Sequence, residues 1–188
     1  IYKKIIIRLK LINIKTIKLF ANIVNHIFSI LFIRWYNVKN FRKLNNRKIP
    51  LILLCRFDKH FIGSSDESME KFHLEGSLLK RKVNLANFFW DQKQNIFMYY
   101  INFIKEIINI KPDLIILSSY SSLKKRFVSQ PSLSIMNKIK KKVKTSFVAL
   151  WWDTCSNEFI EKNLIPTDSF IDLHVINDNP NLKKKISQ

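Results

Sequence analysis

Four aspartates each follow an apolar run of strand length: Asp58 after LILLCRF, Asp91 after VNLANFFW, Asp153 after TSFVALWW and Asp178 after IDLHVIN. A fifth run, LIILSSY, closes on Ser118, Ser119 and Tyr120. If these runs are parallel strands of one sheet, all of these groups gather along its carboxyl edge. There a carboxylate can take a proton from a substrate hydroxyl, as general bases do. Aspartate is also a common turn and helix-cap residue, so a structural role competes for each of them. Asp153 is singled out by its neighbours Trp151 and Trp152. Side chains alternate along a strand, so one indole must point away from the other, and the one at the strand's exit can offer an apolar stacking face.

Elements that would position these residues follow Pro50 in sequence. LILLCRF (51–57) is a first strand. SSDE follows, with Ser64 and Glu67 as a capping box for a helix carrying Met69, Phe72, Gly76 and Leu79 on one face. VNLANFF (83–89) is a second strand, followed by a helix striped with Phe97, Tyr100, Ile101, Ile104, Ile107 and Ile108 and stopped by Lys111-Pro112-Asp113. A strand at 114–120, a helix carrying Met136, Ile139 and Val143, a strand at 145–151, a short helix at 157–163 and a strand at 171–176 complete the series. Strands alternating with helices, several of them apolar without alternation, predict an α/β domain: a doubly wound, parallel, five-stranded Rossmann-like sheet over residues 50–188. In a 3-2-1-4-5 order the loops after strands one and four face each other across the crevice, which would make Asp58, Gly63 and Asp153 neighbours.

Before Pro50 the composition changes. The 188-residue chain carries a net charge of +19. Its first fifty residues hold 12 Lys and Arg and no acid, leaving 21 of the 33 basic residues and all 14 acids for the rest. Residues 1–49 therefore read as a distinct basic segment with an anionic neighbour, lipid headgroups or nucleic acid. Between Lys18 and Arg34 lie 15 uncharged residues, about 22 Å as a helix, too short to span a hydrocarbon core of about 30 Å comfortably. Lys15, Lys18, Asn22, Asn25, His26 and Ser29 form a polar stripe, opposite Phe20, Ile23, Val24, Ile27 and Leu31. This predicts a basic amphipathic helix that either lies in an anionic membrane surface or packs on the following domain.

Other classes are disfavoured. Two glycines leave no room for a glycine-rich phosphate loop. Cys55, Cys155, His60, His73 and His174 lack metal-ligand spacing, so no metal is expected and a reduced, cytoplasmic setting is the simple reading. Lys124-Lys125-Arg126 and KIKKKVK (138–144) read as solvated faces, with no specific nucleic acid expected. The chain opens on Ile1 instead of methionine, which predicts a fragment or processed product, and it shows no secretory signal pattern.

Three stretches, KPDLIILSSY (111–120), VKTSFVALWWDT (143–154) and FIDLHVINDNP (170–180), with IGSSDESMEKFHLEG (62–76), resemble the amino-terminal half of GT-B glycosyltransferases of the CgeB-like and family-4-like kinds. The resemblance spans about residues 50–180. It implies an acceptor-side domain that receives a sugar or glycolipid acceptor. Asp153 would be its base, and Trp152, Asp58, Gly63, Ser64, Ser118, Ser119, Tyr120 and Asp178 would line the cleft. The nucleotide-sugar donor would bind a second domain that is missing after Gln188, so this chain alone should not be a competent transferase, and no cofactor is expected in it. The implied setting is cytoplasmic, peripheral on the inner face of the membrane. Two alternatives come from other classes: a non-enzymatic basic α/β module binding anionic membrane or nucleic acid, and a small nucleotide-binding or response domain.

Overall fold

The computed structural model describes residues 2–35, 47–59, 67–68, 70–91, 95, 97–120, 130–143, 145–152 and 156–176, with side chains in the first helix described for 16–34. A long helix, α1 (Tyr2–Trp35), precedes five parallel strands: β1 (Leu51–Arg56), β2 (Asn84–Phe89), β3 (Leu114–Ser118), β4 (Ser146–Trp151) and β5 (Leu173–Ile176). Between the strands run α2, a π turn over Lys71–Glu75 continuing as Gly76–Lys80, then α3 (Tyr99–Ile110) and α4 (Leu133–Lys142). The last is α5, built from Asn157–Phe159, Ile160–Leu164 and Ile165–Thr167. Helices cover both faces of the sheet, so the fold is the expected doubly wound Rossmann-like α/β type.

The strand order corrects the expectation. It is β2-β1-β3-β4-β5, with the reversal between β1 and β3. β1 and β3 are the most continuously buried strands and pair centrally, Leu53 against Ile115 and Cys55 against Leu117. β2, with Asn84 and Asn87 in its sequence, takes one edge. β3 therefore stands between β1 and β4, so the loops after Phe57 and Trp152 do not flank one crevice.

Alternation along the strands builds two unequal cores. Leu53, Cys55, Ile115, Leu117, Phe147, Ala149 and Trp151 meet α3, α4 and α5 in the larger one, closed by Trp90, Phe103 and Phe170. Ile52, Leu54 and Ile116 face α2 through Leu74 and Leu78. Hence α2 docks by Leu74 and Leu78, while Phe72 and Leu79 are exposed. Of the expected capping box, Ser64 lies outside the described residues and Glu67 forms an isolated antiparallel bridge with Lys59; helix is described from Glu70, first as the π turn and as α-helix from Gly76.

Two aspartates pin the amino-terminal edge. Asp113 Oδ2 accepts the Leu51 N–H at 2.8 Å, while the Asp113 N–H donates to the Leu51 carbonyl at 2.8 Å. Asp172 repeats the device against Phe147, at 2.7 and 2.9 Å. Arg47 caps the carboxyl end of α3 through the carbonyls of Ile110 and Lys111, where Lys111 turns left-handed at φ 48°.

α1 docks the other way round from a conventional amphipathic helix. Its buried line is Ala21, Asn25, Ser29 and Ile33, at four-residue steps. Met98 at the N-cap of α3 offers no side-chain bond, and Asn25 Oδ1 supplies one from outside by accepting the Tyr100 N–H at 3.3 Å. Asn22 lies 3.5 Å from the Tyr100 hydroxyl, and His26 Nδ1 lies 3.4 Å from Ser132 Oγ at the start of α4. The polar stripe thus meets the domain, and Phe20, Ile23, Ile27 and Leu31 are left exposed. Among the described residues, Thr16–Arg34 is the one stretch long and apolar enough, by length and composition, to cross a membrane.

Candidate functional site at the carboxyl edge of the sheet

β1 ends in a charge. Arg56 follows Ile52 and Leu54 on the α2 side of the sheet, and its side chain is only 2% exposed. The guanidinium is ion-paired with Glu75, donates to the Phe57 carbonyl at 2.8 Å and to Ser68 Oγ at 3.3 Å, and lies over the Phe89 ring at 4.7 Å. Its Nε is buried with no hydrogen-bond partner among the described residues. Asn87 Nδ2 donates to the second Glu75 oxygen at 2.9 Å.

Beside it, across the reversal point, β3 delivers two hydroxyls to one carboxylate. Ser118 Oγ and Ser119 Oγ donate to Glu70 Oε1 at 3.1 and 2.9 Å. Glu70 is 8% exposed. Ser119 adopts a left-handed φ of 55°, uncommon for a residue with a side chain, and its carbonyl accepts from Gln130 Nε2 at 2.9 Å. The turned backbone aims consecutive side chains, which would point apart along a regular strand, at the same acceptor.

The two indoles divide as strand alternation requires. Trp151 is buried, stacked on His174 and donating to its Nδ1 at 3.0 Å, with Phe159 edge-on. Trp152 turns to the α2 side, remains 45% exposed, and donates through Nε1 to Ser118 Oγ at 2.7 Å. The hydroxyl of Ser118 therefore accepts from the indole and donates to Glu70, which fixes the plane of Trp152 beside the hydroxyl–carboxylate cluster.

Other expected site residues fall out differently. Asp58 is 3.8 Å from Arg56 Nη1 and partly exposed, so it borders the cluster on the β1 side. Asp91 is a loop clamp, its two oxygens accepting the backbone N–H groups of Asp58 and Lys59 at 2.8 and 2.9 Å. Tyr120 is corrected from cleft to core. Its ring packs edge-on against Phe170 and its hydroxyl donates to the Pro131 carbonyl at 2.7 Å, while burial pushes the phenol pKa up. Asp153, Gly63, Ser64 and Asp178 lie outside the described residues. Arg56, Glu70 and Glu75 were not singled out in the sequence. For Arg56 the signal was there: a charge closing an apolar run, as in WWD.

Among the described residues, Arg56 stands beside Asp58 and Glu75, while Glu70 is held by Ser118 and Ser119 and Asp91 by the backbone of Asp58 and Lys59. No group of three or more His, Cys, Asp or Glu that could hold a metal ion occurs among the described residues.

No family model matches the chain, and no curated protein matches it in sequence. Among solved structures, a two-component response regulator from Clostridium difficile is similar at 17% identity with a TM-score of 0.42, over 73% of this chain and 93% of that one.

Proposed function

We propose that this chain is the acceptor-binding half of a nucleotide-sugar-dependent glycosyltransferase, receiving a sugar or glycolipid acceptor at the carboxyl edge of its sheet. The observation that carries the reading is the half-exposed indole of Trp152, held by Ser118 beside Ser119 and Glu70. A flat apolar ring beside the part-buried Ser119 hydroxyl and its Glu70 carboxylate complements a pyranose, whose C–H face stacks while its hydroxyls are hydrogen-bonded. In the reaction, an acceptor hydroxyl gives its proton to a carboxylate, for which Asp153 is the proposed group. Its oxygen bonds the anomeric carbon of the donor, and the nucleoside diphosphate leaves with the electron pair of the broken bond.

Saturation-transfer NMR on the full chain with glucose, galactose, mannose, N-acetylglucosamine and their methyl glycosides tests the binding half of this reading. At least one sugar should give a transfer signal that Trp152→Ala reduces about tenfold without loss of the folded spectrum. Signals from none of the panel, or signals untouched by Trp152→Ala, would refute it.

A further inference from the structure

The exposed side of α1 is largely bare within the described chain, with Phe20 meeting Phe97 edge-on at 6.1 Å near its start. Ile17, Leu19, Phe20, Ile23, Ile27, Phe28 and Leu31 are all exposed, and from Phe20 onward they follow the three- and four-residue steps of one helical stripe. Single exposed apolar residues are ordinary, but seven within fifteen positions make a continuous patch. The stripe is bounded by Lys18 and Arg34, both exposed, and belongs to the fifty-residue stretch with 12 basic residues and no acid.

We infer that α1 lies in the surface of an anionic lipid bilayer, its apolar stripe among the acyl chains and its polar stripe still docked on α3 and α4. Charge selects the occupant: an apolar stripe in a segment with 12 basic residues and no acid, flanked along the chain by Lys18 and Arg34, complements anionic headgroups. Docking selects the orientation. A helix crossing the bilayer would carry Asn25 and Ser29 into hydrocarbon and strip the α3 amino terminus of the bond from Asn25. A helix lying in the interface keeps that bond and buries only the face that the domain leaves bare. At about 1.5 Å per residue, the stripe from Ile17 to Leu31 lays down roughly 21 Å of contact along the membrane plane.

Flotation of the full chain with phosphatidylcholine vesicles, with and without 30% phosphatidylglycerol, tests this. The parent should partition at least tenfold more strongly onto the anionic vesicles, lose most of that gain in 0.5 M NaCl, and be released by carbonate at pH 11. Ile23→Gln with Ile27→Gln and Leu31→Gln should lower partitioning at least tenfold. Lys18→Glu with Arg34→Glu, which leaves the apolar stripe intact, should lower the anionic preference severalfold. Both sets lie on exposed positions, and an unchanged urea midpoint confirms that each folds. No vesicle binding by the parent, or equal binding by parent and triple variant, would overturn the inference. Retention through carbonate would assign a spanning helix instead. Sedimentation equilibrium showing a parent dimer and a monomeric triple variant, with no vesicle binding, would assign the face to a second copy of the chain.

Discussion

Exchanging Glu75 for leucine removes the nearer carboxylate from the buried Arg56 guanidinium and leaves the partly exposed Asp58 beside it. Breaking a buried pair from one side costs about 3 to 5 kcal/mol, because a charge is stranded in low dielectric. Here the lower end applies. Arg56 keeps the partly exposed Asp58 at 3.8 Å, the Phe57 carbonyl, Ser68 Oγ and the face of Phe89, so Glu75→Leu should destabilise by about 3 kcal/mol. The reverse exchange, Arg56→Met, is milder. Glu75 is 16% exposed and retains Asn87, so solvent and amide take over part of the charge, and the cost should be about 1.5 kcal/mol. Making both exchanges removes the stranded charge, so the double variant should sit no lower than Arg56→Met alone, a coupling of about 3 kcal/mol. Urea unfolding followed by tryptophan fluorescence, with the m-value unchanged, gives all four free energies. Additive losses would refute this account, and so would a Glu75→Leu variant within about 0.5 kcal/mol of the parent.

Asn25→Ala removes the external cap of α3 and should cost about 1 to 2 kcal/mol, measured by urea unfolding. Tyr120→Phe deletes the bond to the Pro131 carbonyl and should lower stability by about 1 kcal/mol while leaving any sugar signal at Trp152 unchanged. Partial burial pushes the Asp172 carboxyl up, but hydrogen bonds from the Lys140 ammonium and the Phe147 N–H outweigh it and hold the pKa below its ordinary value. A folded pKa below the unfolded one adds stability that is complete above the unfolded value and lost as pH falls through the folded value. The parent should therefore lose part of its margin below about pH 4 that Asp172→Asn never had, so the two stability curves converge in acid.

Apolar runs made the five strands legible, continuous in the central β1 and β3, which are covered on both faces, and alternating in β4 and β5. The periodicity of residues 97–108 likewise gave α3. Order was not legible, because LILLC and LIILS are equally apolar and nothing local says on which side of β1 the third strand will pair. The docking face of α1 was hidden for a different reason. Its polar stripe resembles a solvent face until the bare amino termini of α3 and α4 are brought beside Asn25 and His26. At the site, alternation predicted that one indole would turn outward, and Trp152 does. Glu70 was invisible because its role depends on Ser119 adopting a left-handed backbone, which no residue type announces.

Asp113 and Asp172 lie at the far edge of the sheet from Trp152, yet they govern it. Each is a register stop: its carboxylate and its own backbone clamp the first residues of two neighbouring strands. A slip of one residue would break both bonds and turn every side chain on the strand to the opposite face. From Asp113 the chain runs five residues, about 17 Å, to Ser118. With the starting point locked, Ser118 arrives opposite Leu150 and on the side that holds Glu70 and the second indole. The aspartates thus aim the hydroxyl from a distance, as a fixed heel aims the tip of a ruler.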